Sequence, residues 1–312
     1  MAAAGVDLRY MAVTDDAPTG YRKRFRFNHA KYAVIDGQRV WVGTDNFNLD
    51  SVPLPSPTPV GGRRGIYLFT DAAPVVATLQ RVFDADWGEG RFLDVRPFEP
   101  SHPKYGAPPA DFVLPPAPVY QVTSAPFAAP VSASGAGRFV VATAPENALR
   151  ADAGLHALID RAGGGDELLV VQLYENRNWG EPTSNPIADP NLRLAALLAA
   201  ARRGASVRLL LDSFFDEAEE LRSNRATVEY VRAVAAAEGL NLEARLANPT
   251  LGGMHAKLVL VQVAGESWSV VGSLNGSEVS YKLNREVLLL VDMPAIHTRL
   301  REVFWHDWAL GD

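Results

Sequence analysis

A short pattern of polar residues occurs twice in this chain. Asn28-His29-Ala30-Lys31 is followed by Asp36 and then Gly43-Thr44-Asp45-Asn46, with Ser51 five residues beyond that asparagine. Met254-His255-Ala256-Lys257 is followed by Gly272-Ser273-Leu274-Asn275, with Ser280 at the same further distance. Each copy closes on a helical segment of one type, Val82-Phe83-Asp84-Ala85-Asp86-Trp87 and Val303-Phe304-Trp305-His306-Asp307-Trp308. A His, a Lys and an Asn duplicated in this way predict two related halves that share one site.

With 312 residues the chain is long enough for two domains, each with its own core. It is 47% hydrophobic and 21% charged, a globular balance. A net charge of −6 supplies no global basic field for nucleic acid, although a local patch would serve. The absence of cysteine removes disulfides, thiolate metal sites and cysteine nucleophiles. No run of eighteen apolar residues occurs. Met1-Ala2-Ala3-Ala4-Gly5 carries no signal-peptide pattern, and localisation stays open.

Around the second copy the pattern is rich. Leu168–Tyr174 and Val207–Leu211 are continuous apolar runs suited to buried strands. Helices are expected over Asn191–Arg203, ending at Gly204, and over Asn224–Glu238, ending at Gly239. Phe139–Ala142, followed by Pro145 and an amphipathic stretch to Ala162, is expected to open this half, with further strands at Leu242–Leu246, around His255, and at Ser269–Gly272 and Glu286–Val291, before a last helix over Pro294–Trp308. The first copy is poorer: only Val6–Val13, matched to Leu242–Leu246, and a polar loop precede His29. Nothing there corresponds to the strand–helix–strand–helix unit before His255. The expectation is that the chain starts inside a domain and that an N-terminal segment of the same protein is missing.

The fold class expected is therefore α/β: two α/β/α sandwich domains with mixed sheets and pseudo-twofold symmetry, the first incomplete. The boundaries are 1–90 for the C-terminal part of the first domain, 91–137 for a linker and 138–312 for the second domain. The linker carries Pro108-Pro109, Pro115-Pro116 and Pro118 and is expected to be extended over the surface.

Two histidines facing one phosphorus can divide the work of cleaving a phosphodiester. One attacks to give a phosphohistidine, and the other protonates the leaving oxygen and then activates the acceptor. A lysine two residues after each histidine lies on the same side of a strand, so Lys31 and Lys257 point with His29 and His255. Asn46 and Asn275 can donate amide hydrogens to the same oxygens. This set needs no metal and no cofactor.

The segment 29–46 fits His-x-Lys-x4-Asp-x6-Gly-Ser/Thr-x-Asn without a gap and resembles the phospholipase D superfamily. The second copy departs from it: Gln262 stands at the Asp position, and three extra residues precede Gly272-Ser273. Gln172-Leu173-Tyr174 and Asn178-Trp179-Gly180 look most like bacterial phospholipase D-like and cardiolipin synthase-like proteins. The resemblance implies a metal-independent phosphodiester hydrolase or phosphatidyltransferase acting through a phosphohistidine, most naturally on phospholipids. It implies His29, Lys31, Asn46, His255, Lys257, Asn275 and Glu286 as the catalytic set, with Asp36, Gly43, Thr44, Gly272 and Ser273 as structural motif residues. Glu286 is expected to orient His255, while the matching segment Gly62-Arg63-Arg64-Gly65-Ile66 lacks a carboxylate. Which histidine is the nucleophile stays open.

The partner implied is a phospholipid head group or another phosphodiester, with peripheral membrane contact as an accompaniment and nucleic acid a weaker alternative. The rival readings are a nuclease of the same chemistry and a non-catalytic protein that binds an anion or a partner. His102, His156, His297 and His306 show no ligand-like spacing and are expected to be structural. Arg22–Phe27 reads as a half-buried strand or, less favourably, as a guide for an anionic ligand. Asp15-Asp16, Asp216-Glu217 and Glu219-Glu220 read as solvated acids, Trp87 and Trp308 as packing anchors, and Tyr174 and Trp179 as candidate substrate walls.

Overall fold

The computed structural model describes residues 2–48, 51, 62–88, 92–109, 111–113, 126–127, 129–180 and 185–312. In the first half, β1 (Arg9–Tyr10) is followed by β2 (Tyr32–Ile35), β3 (Arg39–Gly43), β4 (Tyr67–Thr70), helix α1 (Ala73–Trp87) and β5 (Arg96–Pro97). The second half runs β6 (Arg138–Ala144), α2 (Gly154–Arg161), β7 (Glu167–Gln172), α3 (Leu192–Arg202), β8 (Ser206–Asp212) and α4 (Asn224–Glu238). It continues with β9 (Leu242–Ala247), β10 (Lys257–Val263), β11 (Glu266–Gly272), α5 (Glu278–Lys282), β12 (Glu286–Asp292) and α6 (Pro294–Trp308).

Seven of these strands form one mixed sheet in the order β6-β12-β11-β10-β7-β8-β9. The parallel pairs are β7 with β8 and β8 with β9, each joined through a helix, and the other neighbours are antiparallel. Both faces of the sheet are covered, which explains why its central strands β7, β10 and β12 are apolar runs, while the edge strand β9 alternates. Leu168, Val170, Leu209, Val259, Leu288 and Leu290 pack under α2, α3 and α4. Leu169, Val171, Leu210, Leu258 and Leu260 pack under Leu300, Phe304 and Trp308 of α6.

The first half supplies a smaller sheet, β2-β3-β4, and a single long helix. Val40 and Val42 of β3 join Val75, Val76 and Leu79 of α1 against Val287, Leu289 and Val291 of β12. The two halves thus share a core, because one face of β12 is buried by the first half. The helices α1 and α6 are both fifteen residues long with Pro near their start and Trp at their end. Trp308 is buried, and Trp87 stacks on Phe83 with Arg9 over its other face.

Helix boundaries follow local chemistry. The Asn191 side chain accepts from the backbone N–H groups of Arg193 and Leu194 at the start of α3. Gly239 ends α4 in a left-handed conformation at φ 64° that a Cβ would disfavour. Two expectations are corrected. Val6–Val13 does not line up beside the first-half sheet as Leu242–Leu246 does beside β8: only Arg9–Tyr10 is extended, paired with Arg96–Pro97 in a separate two-stranded sheet. Arg22–Phe27 is a loop and not a strand. In it Arg24 is bonded to buried Asp94 and stacked on Phe92, and Phe25 is buried. Within 91–137, Pro115, Pro116 and Pro118 lie outside the described residues.

Candidate active site

The two motif copies form hairpins of one design. Lys31 stands beside Gly43, whose N–H donates to the Lys31 carbonyl at 2.9 Å, and the β10–β11 register sets Lys257 opposite Gly272 in the same way. In each copy the lysine ammonium donates to the carbonyl of its own histidine, at 2.7 Å from Lys31 to His29 and at 2.7 Å from Lys257 to His255. The backbone repeats the likeness: the N–H of His29 donates to the Arg285 carbonyl and that of His255 to the Arg64 carbonyl, both at 3.0 Å. Each half-site histidine is therefore anchored on backbone from the opposite half.

The three additional residues in the second copy lengthen its hairpin. Asp36 lies at the exposed tip of β2–β3 with φ 52°, and the residue in that place in β10–β11 is Ala264 with φ 50°. The expectation that Gln262 occupies the aspartate position is corrected: Gln262 is a strand residue paired with Ser267 and Glu167. The Ala264 N–H is instead held by Asp166 at 3.3 Å. Asp36 is thus an exposed turn residue at the tip of its hairpin.

The carboxylates cross between the halves, which corrects a second expectation. Glu286 does not orient His255; its Oε2 lies 2.8 Å from Nδ1 of His29. Glu286 is fully buried, and Asn284 donates to its other oxygen at 3.1 Å. His255 Nδ1 lies 2.9 Å from the Thr44 carbonyl and 3.1 Å from Oδ1 of Asp45. Asp45 is buried and belongs to the first motif, yet spacing alone gave it no role. A second residue missed is Asp212, at the end of β8, which accepts from the N–H of Met254 at 2.5 Å and fixes the backbone leading into His255. Its position at the C-terminal end of a parallel strand was the available signal.

Among the described residues neither histidine has a hydrogen-bond partner on Nε2. Burial lowers the pKa of His255 to about 4; Asp45 opposes that shift, and the charges of Lys257 and Lys31 reinforce it. Burial also brings Lys31 down to about 8 against the pull of Glu286 and Asp45. Lys257 is pushed well below the ordinary lysine value by burial and then by Lys31, while Asp45, Glu286 and Asp212 act the other way. Groups from both halves therefore act on each other as one electrostatic unit.

Asn275 is buried with its Oδ1 unpartnered, whereas Asn46 is exposed. Thr44 and Ser273 are buried and play matching parts, accepting through their hydroxyls from the N–H groups of Ile66 and Val287 at 3.0 and 3.1 Å. Of the candidate substrate walls, Tyr174 is part-exposed, but Trp179 is core, packed on Tyr281 with its indole N–H donated to the Gly276 carbonyl. His156 and His297 are buried in the core, and His102 accepts two backbone N–H groups in a turn.

The motif glycines are not equivalent. A Cβ on Gly272 would fall 2.1 Å from the Val287 carbonyl oxygen, a backbone atom, while one on Gly43 would first meet the Tyr67 ring at 2.6 Å. Gly272→Ala is expected to cost about 1–3 kcal/mol in urea unfolding, and Gly43→Ala less, because a ring can turn and a sheet backbone cannot. Equal losses would contradict the close approach of β11 and β12.

Residues 181–308 match the family described as cardiolipin synthase, PLD-like domain. The chain is similar to phospholipase D-like proteins of the cardiolipin synthase type. Cardiolipin synthase A of Pseudomonas fluorescens (strain SBW25) is 26% identical over 314 aligned positions, which take in 99% of this chain and 53% of that protein. The chain thus spans about half the length of the curated relative it matches. Among solved structures, phosphatidylserine synthase from Haemophilus influenzae Rd KW20 superposes with a TM-score of 0.54 at 13% identity. That match covers 89% of this chain and 62% of the other, and at such identity the likeness is one of fold.

Proposed function

We propose that this phospholipase D-like chain transfers a phosphodiester, taking it from a phospholipid head group to water or an alcohol through a phosphohistidine. The observation that carries the reading is the crossed pairing of His29 with Glu286 and of His255 with Thr44 and Asp45. Among the described residues it leaves two imidazole Nε2 atoms without hydrogen-bond partners, with Lys31 and Lys257 held on the carbonyls of the same two histidines.

His255 is the better nucleophile, because burial keeps it neutral near pH 7 while Nδ1 carries the proton toward Thr44 or Asp45. Its Nε2 attacks phosphorus, the P–O bond to the head group breaks, and His29 gives its Nε2 proton to the departing alcohol. Glu286 balances the imidazolium charge on His29 before that transfer. His29 then takes a proton from the acceptor, whose oxygen displaces His255 to give a phosphodiester with an alcohol or a phosphomonoester with water. Lys31, Lys257 and the amide of Asn275 neutralise the equatorial oxygens.

A lipid is favoured over nucleic acid by the exposed apolar side chains next to the site segments. Phe27 precedes the first motif, Phe47 follows Asn46, Leu251 precedes Met254, and Phe214 follows Asp212, all of them exposed. The test is release of choline or glycerol from vesicles of the corresponding phospholipids, with a single-stranded oligonucleotide as the competing substrate. Cleavage of the oligonucleotide with intact vesicles would overturn the lipid assignment.

The pH profile follows from two groups. His255 is neutral, and able to attack, above about pH 4, and Lys31 keeps its charge below about pH 8. These two groups set outer limits, so kcat/KM should fall below about pH 4 and above about pH 8, with the proton His29 must carry as a further requirement between them. Bound phosphodiester favours the charged lysine, so the alkaline limb of kcat should lie above that of kcat/KM. Lys31→Arg should remove the alkaline limb; an unchanged limb would rule out Lys31 as its source.

A further inference from the structure

We propose that Asp45 is the positioning carboxylate of His255, and that it has taken over in one half the place Glu286 holds in the other. The proposal rests on the two-histidine reading above and concerns a residue outside the motif pattern. The backbone fixes which positions correspond. Arg285 and Arg64 give their carbonyls to His29 and His255 at the same 3.0 Å. The next residues are Glu286 and Gly65. One step further, Val287 and Ile66 donate to the hydroxyls of Ser273 and Thr44, and accept from the N–H groups of the same two residues at 3.0 and 3.1 Å. Gly65 is therefore the counterpart of Glu286, and it has no side chain to offer.

The space is filled from the segment that follows β3. A Cβ built on Gly65 would lie 1.3 Å from Oδ2 of Asp45 and 2.4 Å from its Cγ. The Asp45 carboxylate thus occupies the volume that a side chain at position 65 would enter. In the second half the counterpart of Asp45, one residue after Ser273, is Leu274, which is buried and apolar. The two halves hold the same pair of roles in exchanged positions: Gly65 with Asp45, and Glu286 with Leu274.

The environment of Asp45 supports a task directed at the ring. It is 1% exposed, its Oδ2 accepts from the Thr44 hydroxyl, and its Oδ1 has no hydrogen-bond donor among the described residues. A buried carboxylate oxygen without a donor is costly unless a nearby proton answers it. His255 Nδ1 lies 3.1 Å away, and the same nitrogen is 2.9 Å from the Thr44 carbonyl oxygen and 3.0 Å from Nζ of Lys257. Lys257 and Lys31 are the charges facing the same ring, and both oppose its protonation. Two acceptors therefore share one N–H, the carbonyl holding the tautomer and Asp45 stabilising positive charge on the ring.

Three variants test this: Asp45→Asn, Asp45→Leu, and Asp45→Leu with Gly65→Glu, which copies the second half's arrangement into the first. Two quantities are read, the imidazole 15N titration of His255 and kcat for head-group release. Asp45→Asn should move the onset of His255 protonation to lower pH and leave His29 in place. It should reduce kcat about 10–100-fold, less than loss of a sole orienting acid, since Thr44 still holds the tautomer. The double variant should return the titration toward the original position and recover most of the activity lost in Asp45→Leu. An unmoved His255 titration in Asp45→Asn, or a double variant no better than Asp45→Leu, would overturn the assignment. The titration does not depend on turnover: a shift in a protein inactive on all phosphodiesters supports the pairing while the catalytic reading falls.

Discussion

Replacing His255 with alanine is expected to lower head-group release by about 10⁴–10⁶-fold, with the fold intact by circular dichroism and urea unfolding. The size follows from the role proposed for it, since without that nucleophile no covalent step would remain, and only binding and electrostatic stabilisation would be left. His29→Ala should be nearly as damaging, because the leaving alcohol then departs without a proton. The two losses should not add, so the double variant should be close to the worse single one. The singles differ in one respect. His29→Ala should retain some turnover on a substrate whose leaving group needs no proton, such as a nitrophenyl phosphodiester, whereas His255→Ala should not. Equal recovery of both on that substrate would contradict the assignment of roles.

Glu175→Ala is expected to be the most destabilising single change outside the site, by about 3–5 kcal/mol in urea unfolding. Glu175 follows β7 and is fully buried against Arg193 of α3, itself 1% exposed, and the two are joined by a close ion pair. Removing the acid leaves a guanidinium charge in the interior with no partner of opposite sign. The consequence reaches the site, because the pair packs on Gly276, directly after Asn275. Asn191 ties the cluster together, donating to Glu175 and to the Gly276 carbonyl at 2.6 and 3.0 Å. Activity should therefore fall with stability. A change below 1 kcal/mol would mean that solvent reaches Arg193.

Much of the second half was legible because its signals are local. Asn191 and Gly239 bound their helices through capping chemistry acting within a few residues, and α6 spans Pro294–Trp308 as expected from its periodicity. Apolar runs such as Leu288-Leu289-Leu290 marked strands buried on both faces. The two His-x-Lys pairs were legible for the same reason, since strand alternation sets histidine and lysine on one side. What failed was whatever depends on the other half. Glu286 follows the second motif in sequence, so it was matched to His255, yet the site is assembled by exchange and it reaches His29. Gln262 was aligned by counting residues, but hairpin length differs between the copies and the turn falls at Ala264. β1 pairs with β5, a partnership that two two-residue strands do not advertise. Asp45 stood at the unspecified position of Gly-Ser/Thr-x-Asn, and only the close approach of its carboxylate to Gly65 draws attention to it.

The central claim is that one site built from both halves forms a covalent bond between phosphorus and His255. The most direct measurement is acid-free quenching of the protein during turnover of a phospholipid labelled at phosphorus, followed by peptide mapping. The account predicts label on the peptide carrying His255, stable to base and lost in acid, and absent in His255→Ala. Turnover of the lipid with no labelled peptide, or with label on His29 instead, would contradict it.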